Sequence, residues 1–166
     1  MSSWFDETIK SYPENTATFL REQKNRFTNP VGQTILSGLD SLLTCLQQEE
    51  EARELAGFLD NIIRIRAVQD LTPSQAVSFI CALKGIVREE VSRGGGGGFS
   101  DELVRFEARV DLMMLQAFDI FMQCREKLYD IKANEMRNMT FRILQRANAL
   151  GEIQEQGKGL DGSTAF

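Results

Sequence analysis

Histidine is absent from this chain of 166 residues. That absence excludes a Ser-His-Asp triad, a His-ligated zinc or non-haem iron site and a proximal-His haem. It also excludes the phosphoacceptor of a histidine kinase. Paired carboxylates could still do acid–base work, but Glu89 and Glu90 are adjacent and point to different sides of a helix. Cysteine is scarce. Cys45, Cys81 and Cys124 lie far apart in apolar-periodic segments, an odd set with no CxxC spacing, so neither a disulfide framework nor a zinc site is expected. They read as small buried hydrophobes in a reducing cytoplasm. Positive charge is not in excess: the net charge is −5 and the pI about 4.9, which gives no footprint for nucleic acid or anionic lipid. No apolar run approaches the roughly 18 residues of a spanning helix, so membrane insertion is not expected. The opening "MSSWFDETIK" has neither a basic start nor an apolar core, which points to a cytoplasmic protein. No cofactor is implied.

Strand patterns and internal repeats are missing too, and what remains is helical. Only Pro13, Pro30 and Pro73 occur, each at a helix start. Ser11-Tyr12-Pro13 opens a segment carrying Ala17, Phe19 and Leu20. Asn29 can cap a helix with Pro30 at its first position, followed by Val31, Ile35, Leu39, Leu42 or Leu43, and Leu46 on one face. Glu49-Glu50-Glu51 suits the positive end of the next helix dipole, whose apolar face is Leu55, Phe58, Leu59, Ile62 and Ile65. Thr72-Pro73-Ser74-Gln75 reads as a capping box. Its helix carries Ala76, Ile80, Leu83, Val87 and Val91, so residues 67–72 form a tight corner between two adjacent, roughly antiparallel helices. The glycine run in 92–99 has no preceding strand and no Gly-Lys-Ser/Thr, which argues for a flexible loop rather than a phosphate loop.

From Ser100 to Leu150 there is neither glycine nor proline. One straight helix of that length would be roughly 75 Å long. Either it breaks at Lys132 to Glu135, or its C-terminal half projects and pairs with another chain. Its first half carries Phe106, Val110, Met113, Ala117, Phe121 and Cys124, with Phe118 and Ile120 on adjoining faces. Gly151 is expected to end it, leaving 151–166 as a mobile tail. The fold class is therefore all-α: one multi-helix bundle over 1–150 with a long C-terminal helix.

Candidate sites each have a plainer reading. Arg64 and Arg66 end a helix, where charge–dipole placement and a salt bridge to Asp70 or Glu89 suffice; the functional alternative is a spot for an anion or a partner's carboxylate. Ser74 and Gln75 explain themselves as capping residues, or they offer free N–H groups to a ligand; Gln69 belongs to the same corner. Arg125 and Tyr129, four apart, are a stacking pair or the polar lip of a cavity. Met113, Met114, Met122, Met136 and Met139 fill core gaps or soften an interface. No set of residues meets the requirements of an active site, and the corner is too acidic and its helices too long for a helix-turn-helix. Two readings follow: a non-enzymatic regulatory module acting through its last helix as a homodimer, and a domain binding a small apolar or anionic ligand.

The segments "SYPENTATFLREQKNRFTNPVGQTI", "IIRIRAVQDLTPSQAVSFICALKGIVREE" and "FDIFMQCREKLYDIKANEMRN" together resemble the RsbT co-antagonist RsbRD N-terminal domain family. The resemblance covers about residues 4 to 148. Its most specific pieces are the Arg64–Ala76 junction, Asn29-Pro30-Val31-Gly32 and Cys124-Arg125-Glu126-Lys127. It implies an all-α sensory or scaffold domain in bacterial signalling, related in role to non-haem globin-like domains that precede a STAS or histidine-kinase output. This sequence has no room for such an output, so the resemblance implies a module that binds a separately encoded protein partner or one recruited into another complex.

Overall fold

The computed structural model describes residues 2–48, 52–94 and 100–160. Among these there are six helices and no strand: α1 (Ser2–Ile9), α2 (Glu14–Glu22), α3 (Pro30–Gln48), α4 (Ala52–Ala67), α5 (Pro73–Arg93) and α6 (Asp101–Leu160). The all-α expectation holds. The acidic run 49–51 and the glycines Gly95 to Gly98 lie outside the described residues. The chain divides into two compact units, Met1–Arg125 and Glu126–Phe166.

The first unit holds the core. α3 packs along α4, and the closeness of that pair rests on Gly38, where a Cβ would come within 2.9 Å of Ile62. Ile35, Leu39, Leu42 and Leu46 from α3 meet Leu55, Leu59, Ile62 and Ile63 from α4, all buried. α6 adds Val110, Met113, Ala117 and Phe121 at helical spacing, whereas Phe118, expected inside, is 44% exposed.

α1 was not anticipated from the sequence. It buries Trp4, Phe5, Thr8 and Ile9 against α3 and α5. The Trp4 indole N–H donates to the Phe79 carbonyl at 2.7 Å, and the Thr8 hydroxyl donates to the Trp4 carbonyl at 2.8 Å. A short helix of marginal intrinsic stability is thus fixed by tertiary contacts.

Two predicted helix starts are realised. Asn29 is buried; its Oδ1 accepts from the Gly32 amide at 2.8 Å while its Nδ2 donates to the Leu20 and Gln23 carbonyls at 3.0 and 2.9 Å. One amide therefore caps α3 and satisfies the end of α2. Only glycine fits at position 32, since a Cβ there would stand 2.3 Å from the Asn29 amide. At α5 the capping box is complete: the Gln75 amide donates to the Thr72 hydroxyl, and the Thr72 amide donates to Gln75 Oε1 at 2.9 Å. At the other end of α3, Arg109 of α6 donates to the last-turn carbonyls of Cys45 and Leu46, a cation at the negative end of a dipole. α5 and the start of α6 are laced by the Arg88–Glu107 and Lys84–Asp111 ion pairs, whose numbering runs in opposite directions along the two helices.

α6 has no break at Lys132–Glu135, where every residue but Asn134 is a good helix former. Nor does it end at Gly151: it runs to Leu160, since a single glycine costs only about 1 kcal/mol in a helix and no proline follows Gly151; Gly157 and Gly159 lie within the helix too. Of the cysteines only Cys45 is buried; Cys81 is exposed, with its Sγ 3.1 Å from the Met114 sulfur, and Cys124 is half-buried. The expectation of three buried thiols is corrected accordingly. In the second unit, exposure is high throughout the described side chains, and Leu128 alone among them is half-buried.

Candidate functional site

Leu59, Ile62, Ile63 and Arg66 follow the i, i+3, i+4, i+7 spacing that puts residues on one helix face. All four are buried, and Arg66 has no exposure at all. A guanidinium in that position must replace its hydration with hydrogen bonds. Arg66 Nε donates to the Ala76 carbonyl at 2.8 Å and Nη1 to the Thr8 carbonyl at 3.2 Å. Nη2 donates to the Ser11 hydroxyl at 2.7 Å and to the Gln75 carbonyl at 2.9 Å. Its plane lies between two rings, 5.4 Å from the Tyr12 centroid and 5.3 Å from that of Phe79. Burial pushes its pKa below the ordinary guanidinium value, and the neighbouring Tyr12 opposes that shift. Arg66 thus ties α1, the α1–α2 turn, α4 and α5 together as a cation that makes no ion pair among the described residues.

The expected salt bridges to Asp70 or Glu89 do not form. Arg64 projects to the opposite side and pairs with Asp60, one turn back on α4. That contact holds its pKa above the ordinary value. Glu89 is engaged with Arg93.

Outside this arginine lies a pocket of about 730 Å³, within the range of small-molecule sites. Tyr12, Phe19, Leu20, Val31 and Leu71 give it apolar walls, stiffened by Pro13 and Pro30. Ser11, Thr16, Asn29, Gln69 and Gln75 supply polar groups, Ser11 and the Gln75 backbone being bound to Arg66, and Asp70 is its sole carboxylate. The wall carries no basic side chain and no thiol.

Of the residues singled out from sequence, the structure gathers Arg66, Gln69 and Gln75 at this corner. Ser74 is exposed beside Thr72 and off the pocket wall. Arg125 reaches the Ala67 carbonyl at the end of α4, at 3.4 Å. Tyr129 lies in the second unit and is 57% exposed. Sequence reasoning missed Ser11, Tyr12 and Phe19. Their one signal was an aromatic residue directly before a helix-starting proline.

Comparison with known proteins completes the description. A protein of Archaeoglobus fulgidus, described as uncharacterized, is 21% identical over 137 residues, covering 80% of this chain and 79% of its own length. No solved structure matches the chain. The family model for the RsbT co-antagonist protein rsbRD N-terminal domain matches residues 1–136, which include all of α1 to α5, the buried arginine and the pocket. By that match the chain belongs to the rsbRD N-terminal domain family, a signalling-related family and not a known enzyme family.

Proposed function

We propose that this chain is a non-enzymatic regulatory input module that works through protein–protein contacts made by α6, pairing with a second copy of itself and handing its signal to a separately encoded protein. The observation that carries the reading is the apolar stripe on the second unit. Tyr129, Met136 and Ile143 stand seven residues apart, with Met139 between the last two. They are 57%, 69%, 63% and 61% exposed. A seven-residue apolar repeat is the period of a two-helix seam. An exposed apolar patch of this size on a polar helix is a mark of interaction. Ala133, Thr140 and Ala147 flank the stripe with small side chains that let a second helix approach. Phe141 and Leu144, 60% and 56% exposed, lie on another side of the helix and leave a surface for the signalling partner.

Light scattering coupled to size-exclusion chromatography tests this. The full chain is expected to run as a dimer, and Met136→Glu/Ile143→Glu as a monomer. Burying two glutamates in the seam costs roughly 3 kcal/mol or more, about two orders of magnitude in dissociation constant. A wild-type chain that stays monomeric up to high micromolar concentration would sink the reading.

A further inference from the structure

The pocket beside Arg66 has polar atoms that the fold does not use. Most of its polar groups are committed. The Asn29 amide is spent on Leu20, Gln23 and Gly32. Ser11 Oγ donates to the Thr8 carbonyl and accepts from Arg66, and Gln75 Oε1 accepts from Thr72. Two buried atoms on lining residues are left without a hydrogen bond, the Tyr12 hydroxyl and Gln69 Oε1. Each such atom costs about 1–3 kcal/mol while unsatisfied. Gln69 is half-buried and lines the pocket, so rotation of its terminal amide brings Oε1 to the pocket, whereas the Tyr12 hydroxyl lies on the axis of a ring held against Arg66 and stays at the edge of the wall. Tyr12 can donate or accept, whereas Gln69 Oε1 requires a donor. A neutral hydroxyl meets this requirement without bringing a charge into an apolar pocket. A carboxylate offers no proton to Gln69 and would share the pocket with Asp70.

We propose that this pocket binds a neutral apolar molecule carrying a hydroxyl group, with Gln69 accepting from the hydroxyl and Tyr12, Phe19, Leu20, Val31 and Leu71 enclosing the apolar body. Arg66 serves here as a positioning residue. It lies over the Tyr12 ring and binds the backbone of Gln75, so it fixes the wall without lining it. The inference rests on the pocket alone and holds or falls separately from the proposed role of α6.

Three probes matched in chain length test it by isothermal titration calorimetry on the full chain: 1-octanol, octanoate and methyl heptyl ether. The expected result is saturable binding of 1-octanol at one site, with the ether and octanoate at least tenfold weaker. Gln69→Leu is expected to weaken 1-octanol about tenfold and leave the ether unchanged, closing the gap between them. Val31→Trp fills the pocket from α3 without touching a polar group and is expected to abolish binding of all three probes, with circular dichroism unchanged. The proposal is overturned if no probe binds saturably, which would leave the two atoms to solvent. It is equally overturned if ether and alcohol bind alike in the wild type, if octanoate binds tightest, or if Val31→Trp folds and still binds 1-octanol.

Discussion

A guanidinium with no exposure and no carboxylate partner is a demanding thing to fold around. Four hydrogen bonds and two rings hold Arg66 in place. The flat fork matters more than the charge. Arg66→Lys keeps the charge but replaces the fork with a strongly hydrated point cation that cannot span four acceptors or lie flat between Tyr12 and Phe79. Arg66→Met gives up the charge but keeps an unbranched stem between the rings. Two of the acceptors it abandons retain other donors: the Ser11 hydroxyl on Thr8 and the Ser78 hydroxyl on Gln75. Arg66→Lys is therefore expected to be the more harmful, by roughly 3 kcal/mol or more relative to wild type, with Arg66→Met clearly milder. Urea denaturation of the three proteins decides it, and a lysine variant as stable as wild type would remove the argument. The face read from sequence included Ile65 and left out Ile63, whereas the buried face runs through Leu59, Ile62 and Ile63 to Arg66. The general rarity of buried arginine pulled the sequence reading toward a surface ion pair. Its acceptor at Thr8 lies 58 residues away in the chain, and nothing local announces it.

Elements with local start signals were readable: Asn29-Pro30 for α3 and the Thr72 box for α5 are built from neighbours in sequence. α1 was not, because "SSWFDETI" has little intrinsic drive to be a helix and is held by a tryptophan hydrogen bond to α5. The α5–α6 seam was equally hidden, since helix-to-helix charge pairing depends on a register that no single helix reveals. That seam carries a pH dependence. The Arg88 guanidinium, with Nη2 2.8 Å from Glu107 Oε2, holds the Glu107 carboxyl below its usual range, despite some opposing burial. A carboxyl depressed in the folded state contributes stability that is fully present above its unfolded pKa. That contribution is lost as the pH falls through the folded value. Glu107→Gln is expected to lower the melting temperature at neutral pH and to lose that deficit as the pH falls below the ordinary carboxylate range. Partial exposure and salt keep the effect small. Melts at neutral and acidic pH in matched ionic strength provide the check, and a deficit that stays constant with pH would rule out the ion pair as its cause.

The molecule as a whole separates a packed unit from a helix rich in exposed apolar side chains. Among the described residues, the last fully buried one is Phe121, and the α3, α4 and α5 core is complete without anything beyond Arg125. Burial of apolar area is what stabilises such a bundle. Removing residues 126–166 leaves every fully buried described residue in place, while it deletes the whole Tyr129–Met136–Ile143 stripe. Light scattering, a thermal melt and the 1-octanol titration on a chain ending at Arg125 then report three separate things. The expected outcome is a monomer whose melting temperature lies within a few degrees of the full chain's dilute-limit value and whose probe binding is unchanged. A truncated chain that unfolds would mean that pairing along α6 supplies stability to the bundle itself. A truncated chain that still dimerises would move the interface onto the first unit, to the exposed Leu112, Leu115 and Phe118 of α6, and would refute the role given to the stripe. If the truncated chain folds as a monomer and keeps the ligand, then binding and pairing reside in different units, as a signalling input requires if one is to be read out through the other.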